Sequence, residues 1–158
     1  MPDDLAIRVA GATDIAAVAK LRLAWGDGDR EDEHPDFERH LDEWIAQEGE
    51  RRTIWLAELA GEPVGIATLY EFRRMPRPGR MDSRWGYLGN MFVRAECRNR
   101  GVGSALIRAV IEAAEQRRYV RVVLSPTARS VPFYRRAGFV DADNAAGERL
   151  LMRPNRLA

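Results

Sequence analysis

The sequence predicts one mixed α/β domain spanning residues 1–158. Three observations carry the prediction. Short β-rich runs alternate with segments of helical period. The most strongly punctuated stretch, Arg98-Asn99-Arg100-Gly101-Val102-Gly103-Ser104, joins an apolar strand to a helix. A chain of 158 residues that is 46% hydrophobic can bury a sizeable core, and no repeat, low-complexity tract or linker divides it.

Leu5 to Ala10 alternates as a first strand. Thr13 or Asp14 can cap a helix reaching about Ala24, with Ile15, Val18, Ala19 and Leu21 as its apolar stripe. Trp25 to Asp29 breaks it. A second helix is expected from Asp36 to Gln47, placing Phe37, Leu41, Trp44 and Ile45 on one face. Thr53–Leu59 and Val64–Phe72 are strands joined by a turn at Ala60-Gly61-Glu62-Pro63. Arg73 to Arg84, with two prolines and a glycine, is a loop, and Trp85 to Val93 is the next strand. Ser104 to Arg118 forms an amphipathic helix through Leu106, Ile107, Val110, Ile111 and Ala114. Val120 to Leu124 is short and β-branched, which suits a buried central strand. A short helix carries Tyr134 and stops at Gly138. Phe139-Val140 and Glu148–Met152 are the last strands, on either side of a turn at residues 143–147.

Composition narrows the function. The net charge of +1 argues against general nucleic-acid binding. Lys20 is the one lysine among 25 basic residues, a bias of codon usage more than of function. A single cysteine, Cys97, excludes an intramolecular disulfide and fits a reducing cytoplasm. No apolar run approaches a membrane span, and Met1-Pro2-Asp3-Asp4 lacks a signal-peptide pattern, so a cytoplasmic protein without membrane contact is expected.

The stretch from Arg98 to Ser104 carries the chemistry. A helix N-terminus holds unpaired N–H groups and about half a positive charge, a ready anion site. Gly101 and Gly103 let the backbone curl around a phosphate, and Arg98 and Arg100 add charge. A P-loop needs a Lys-Ser/Thr pair after its second glycine, and here Ser104-Ala105 follows. A dinucleotide fingerprint needs a third glycine and an acidic residue after the next strand, and neither is present. What remains is Arg-x-x-Gly-x-Gly, followed some thirty residues on by Phe133-Tyr134-Arg135-Arg136-Ala137-Gly138-Phe139. Together with Ile7-Arg8-Val9-Ala10 leading into Ala12-Thr13-Asp14, these segments resemble the GNAT superfamily of acetyl-CoA-dependent N-acetyltransferases. The likeness covers residues 5–153, strongest over 87–139.

The resemblance implies a mostly antiparallel central sheet with a splayed parallel pair, flanked by helices. It implies acetyl-CoA as co-substrate, no metal, and an amine acceptor that is a small molecule or a peptide. Backbone N–H groups of Arg98, Asn99, Arg100, Gly101, Val102, Gly103 and Ser104 would hold the pyrophosphate. The strand end Met91-Phe92-Val93 would bulge and offer N–H groups to the pantetheine arm and thioester oxygen; the same residues also suit an ordinary core strand. Tyr134 is expected to protonate the departing thiolate as general acid, the alternative being a helix tyrosine with one hydrogen bond. Thr127 stands where the family often has an asparagine on the pantetheine arm. The base is less defined: Glu71 through a water relay, Asp82 or His34, since the glutamate position of the histone-acetylating branch is Tyr87 here. Cys97 reads as a filler or half-exposed thiol rather than a nucleophile. The acidic run Asp27, Asp29, Glu31, Asp32, Glu33 and Asp36 suits a cationic acceptor, whereas Arg73, Arg74, Arg77, Arg80 and Arg84 suit a carboxylate or phosphate. The rival reading is a non-catalytic acyl-CoA-binding module. The resemblance also allows a homodimer.

Overall fold

Side chains alternate across a strand, so the apolar runs of this chain can bury both faces of one sheet. A computed structural model describes residues 2–26, 34–142 and 153. They fall into two compact units, Met1–Ser125 and Pro126–Ala158.

The first unit holds strands β1 (Leu5–Val9), β2 (Arg52–Leu59), β3 (Glu62–Arg73), β4 (Arg84–Val93) and β5 (Val122–Val123), side by side in that order. β1 to β4 pair antiparallel, and β5 joins β4 in parallel. Its helices are α1 (Ile15–Trp25), α2 (Phe37–Glu48) and α3 (Val102–Gln116). Ile66 enters a cluster with Val18, Leu21, Ile54, Leu56 and Phe92, against which Leu41 and Ile45 of α2 also pack. A Cβ on the neighbouring Gly65 would instead meet Leu106 and Val102 of α3. Thus α1 and α2 cover one face of the sheet and α3 the other. Leu21, Leu56, Leu69 and Leu106 are fully buried, each worth about 1.5–3 kcal/mol.

Three local expectations are corrected. Asp14 does not cap α1 with its side chain. Its carboxylate accepts from the Gly11 N–H at 2.7 Å and pairs with Arg8 at 2.8 Å, closing a short 3-10 turn ahead of the helix. The Arg8 guanidinium and the Gly11 amide hold that carboxyl down at about 2. The β2–β3 turn is only Ala60 and Gly61, both at positive φ, so Glu62 and Pro63 already belong to β3. Residues 74–83 form the expected loop between β3 and β4, with Arg77 and Arg80 bridging across its tip. Finally, Val120–Leu124 is no buried central strand. Only Val122 and Val123 pair with β4; they are half-buried and form the edge of the described sheet.

The second unit contains α4 (Val131–Arg136), with Ser130 as N-cap. Pro132 lies in the first turn, where its missing N–H leaves no bond unmade. Gly138 follows the helix at φ +96°, as a helix stop requires. Phe139 and Val140 form no strand among the described residues. The expected partner Glu148–Met152, the turn at 143–147 and the acidic residues of 27–33 lie outside those residues. No helix among the described residues is long and apolar enough to cross a membrane.

Candidate active site

β4 is irregular where the sequence analysis places the thioester. Its register with β3 passes from Thr68↔Gly89 to Ile66↔Phe92, so Asn90 and Met91 together oppose Ala67. Two residues against one make a β-bulge, and Asn90 takes φ +51° to form it. The Thr68 hydroxyl, nearly buried, donates to the Gly89 carbonyl at 2.9 Å and braces the bulge on one side. On the other side β5 pairs with β4 only at Gly86 and Tyr87. From Leu88 to Val93, β4 therefore has no strand along that edge among the described residues.

After β4 the chain makes a 3-10 turn at Ala95–Cys97 and enters α3. Cys97 and Val102 are buried and anchor the two ends of the loop, while Arg98, Asn99 and Arg100 between them are exposed. Cys97 is buried rather than half-exposed, and its sulfur is ill placed for an acyl-cysteine route. Asn99 at φ +60° and Gly101 at φ +83° turn the chain sharply onto the helix. No side chain caps α3, so the N–H groups of its first turn remain available to an anion. The Arg98 Nε donates to the Val93 carbonyl at 3.0 Å, and its guanidinium lies over Phe92, which stacks on Trp25 at 5.7 Å. An uncapped helix start, a left-handed glycine and two exposed arginines fit a diphosphate. The bulged strand edge fits an amide-bearing arm. The residues present thus suit coenzyme A.

Glu71 sits on β3 opposite Gly86, on the α3 face of the sheet. Its carboxylate accepts from the Tyr119 hydroxyl at 2.6 Å and from Arg73 Nε at 2.8 Å, with Arg84 at 3.8 Å. Partial burial pushes its carboxyl up, but Tyr119, Arg73 and Arg84 together outweigh that, and it lies below the ordinary glutamate range. Burial and the same hydrogen bond raise the Tyr119 phenol. Gly86 is five residues from Met91, roughly 16 Å along a strand, so Glu71 does not touch the bulge. Asp82 is exposed and pairs with Arg84 at 3.5 Å; His34 is exposed, and Tyr87 faces Tyr70.

In the second unit, Tyr134 is half-buried, with Phe133 and Phe139 edge-on to its ring at 5.1 and 5.8 Å. Burial raises its phenol above the ordinary value. The Thr127 hydroxyl donates to Ser130 Oγ at 3.0 Å, and the Ser130 N–H approaches it at 3.3 Å. Its one proton is therefore engaged in the turn that starts α4.

Two residues escaped the sequence reading. Asn90 makes the bulge, and the Gly89-Asn90 pair inside a strand pattern was the available signal. Tyr119 holds Glu71 across 48 positions, and no local pattern announces such a contact.

Residues 18–139 match the model of the acetyltransferase (GNAT) family. No curated protein is significantly similar in sequence. Among solved structures, the chain resembles a predicted acetyltransferase from Clostridium acetobutylicum with acetyl-CoA, at TM-score 0.69 and 19% identity over 94% of this chain and 96% of that one. It also resembles an aminoglycoside acetyltransferase from an uncultured soil metagenomic sample, in complex with trehalose, at TM-score 0.73 and 19% identity over 99% and 98%. A third is a ribosomal-protein-alanine N-acetyltransferase from Brucella melitensis biovar Abortus, at TM-score 0.68 and 19% identity over 98% and 99%.

Proposed function

We propose, on the premise that this chain belongs to the GNAT acetyltransferase family, that residues 1–158 act as one domain that moves an acetyl group from acetyl-CoA to a primary amine by direct attack. Membership establishes the coarse chemistry, that of an acyltransferase, and supports acetyl-CoA as donor. The amine of a small molecule or peptide is the finer reading. Its main support is the bulge at Asn90-Met91, on a strand that β5 accompanies for two pairs only and that leads into an uncapped glycine-started helix.

When bound, acetyl-CoA supplies an activated thioester. In the proposed roles, backbone N–H groups from Arg98 to Ser104 hold the pyrophosphate, and the guanidinium groups of Arg98 and Arg100 neutralise it. Of the strand end Met91-Phe92-Val93, the backbone donors of Met91 and Val93 would serve the pantetheine arm and the thioester oxygen, since the Arg94 N–H bonded to Val64 sets that of Phe92 toward β3. Donors fixed in advance stabilise developing charge without reorganising. Tyr134, its phenol raised by burial, keeps a proton to give the departing thiolate. Thr127 serves the arm after its hydroxyl turns from Ser130. Glu71 takes up the amine proton through water; its low proton affinity makes it a weak base, so turnover rises with pH as the free-amine fraction grows.

A thiol-release assay tests the reading, with polyamines, aminoglycosides, amino acids and peptides with free N-termini as acceptors. Amine-dependent release is expected, and Tyr134→Phe should lower turnover about tenfold or more while coenzyme A still raises the melting temperature. Unchanged turnover removes Tyr134 from the mechanism. Coenzyme A binding without release for any amine favours the acyl-CoA-binding module, which the engaged Thr127 and Glu71 side chains would suit.

A further inference from the structure

β3 and β4 run on past the strands that flank them. β2 begins at Arg52, opposite Tyr70, and β5 covers only Gly86 and Tyr87. Past the start of β2, Glu71, Phe72 and Arg73 stay paired with Gly86, Trp85 and Arg84, while on the far side of β4 the Val120 N–H still donates to the Arg84 carbonyl at 2.8 Å. The Arg74 N–H then donates to the Ser83 carbonyl at 2.9 Å, and Arg77 and Arg80 exchange both backbone bonds around Pro78-Gly79. The result is a projecting two-stranded arm whose β3 edge has no strand beside it among the described residues.

The arm has an unusual surface. Arg73 and Arg84 are compensated by Glu71 and Asp82. Arg74, Arg77 and Arg80 make no ion pair among the described residues. Beside them Met75 and Met81 are 89% and 71% exposed, and Phe72, stacked on Trp85 at 4.3 Å, is 39% exposed. Arginine, methionine and ordered aromatics with few acidic residues compose the core of an interface rather than ordinary surface. Charges on a bare edge also deter sheet-to-sheet pairing, but that task gives no reason to extend two thioethers into water next to them.

The chemistry selects the occupant. Three guanidinium groups without an ion pair among the described residues match carboxylates, and a strand edge with no strand beside it among those residues presents N–H and C=O groups that an extended polypeptide backbone can pair with. An anionic bilayer matches the charge but leaves that edge unpaired. The arm is also remote from the bulge: Met91 and Arg84 are seven residues apart, roughly 23 Å of strand. A free amino acid or amino sugar cannot touch both, whereas an extended peptide spans that distance in about seven residues. We propose that the β3–β4 arm docks an acidic, extended polypeptide, and that the free amine of this polypeptide is the acceptor. The second clause rests on the function proposed above; the first does not.

The test is fluorescence anisotropy on the full chain without acetyl-CoA. The probe is a dye-labelled peptide of about twelve residues, free at its N-terminus, with glutamate and leucine alternating over its C-terminal half. Binding is expected, and a peptide with lysine in place of glutamate should not bind. The Arg74→Glu/Arg77→Glu/Arg80→Glu variant should weaken binding about tenfold or more and raise KM for acetylation of the peptide with kcat retained. The thermal shift caused by coenzyme A reports whether the variant is folded, and a Met75→Ser/Met81→Ser variant, altered only at exposed positions, provides a second measure of lost affinity. Equal binding by parent and arginine variant overturns the proposal. So does binding to phosphatidylserine vesicles with none to the peptide, or self-association that the arginine variant abolishes while the peptide stays unbound. Arginine-dependent binding without acetylation of any amine defeats the proposed function alone. Acetylation of the peptide that ignores the arginines defeats the arm alone.

Discussion

Gly86 lies where the parallel pair is pinned, and replacing it with alanine tests how the splay is built. Its N–H donates to the Arg121 carbonyl at 3.0 Å, and β5 pairs with β4 only at this residue and the next. A Cβ there would stand 2.7 Å from Leu69 Cδ1 and 3.0 and 3.1 Å from the Tyr119 ring. Carbon atoms prefer about 3.5–4.0 Å, so Leu69 would have to move by nearly 1 Å. It is 1% exposed and has nowhere to go. Tyr119 would have to slide as well, loosening its 2.6 Å hydrogen bond to Glu71. Overpacking of this kind costs about 1–3 kcal/mol, and the entropy gained by replacing glycine returns about 0.4–1 kcal/mol. The net loss of about 1–2 kcal/mol lowers Tm by roughly 3–8 °C in a chain of this size. The matched control is Gly89→Ala on the same strand, where the nearest atoms to an added Cβ lie at 3.6 Å or beyond. Thermal melts followed by circular dichroism should show a clear drop for Gly86→Ala and a change within about 1 °C for Gly89→Ala. Equal melting of the two variants would refute the close-approach argument, because it would mean that Leu69 and Tyr119 yield freely.

Gly101→Ala places a Cβ at φ +83°, costing about 1–2 kcal/mol; it should reduce the thermal protection given by coenzyme A more than it reduces the basal Tm, and equal protection in parent and variant would count against the loop. Glu71 binds its proton less tightly in the fold than in the unfolded chain, where the ordinary value is 4.5. Its ionised form therefore contributes stability that is complete above that value and lost as pH falls through the lower folded one. Urea midpoints of the parent and Glu71→Gln should differ at neutral pH and converge in acid, and a constant gap would refute the assignment. Tyr134, with a raised phenol pKa, should stay protonated up to and beyond the ordinary tyrosine value of 10.0, so an alkaline loss of kcat near neutral pH that vanishes in Tyr134→Phe would contradict its environment.

The glycine loop from Arg98 to Ser104 and the helix that it starts were legible in the chain itself, since Gly101, Gly103 and the flanking arginines act through backbone geometry and local charge. The three long strands and three main helices were legible for the same reason, with ends displaced by a residue or two. Alternation and helical period are properties of neighbours in sequence, as are the turn at Ala60-Gly61 and the stop at Gly138. What sequence alone could not determine depends on partners far along the chain. The expected strand Val120–Leu124 shrinks to two residues because β4 parts from it, a property of the pair and not of its β-branched side chains. Asn90 becomes a bulge only against the register of β3. Glu71, expected from the sequence to act as a base through water, is bound by Tyr119 and two arginines that only the folded sheet brings to it. The loop from Arg73 to Arg84 was legible from its prolines and glycine, but its projection was not, because that depends on β3 outrunning β2 beside it. Local chemistry was written in the order of residues; pairing, reach and the proton affinity of buried groups were decided by the tertiary structure, because each depends on what lies across the sheet.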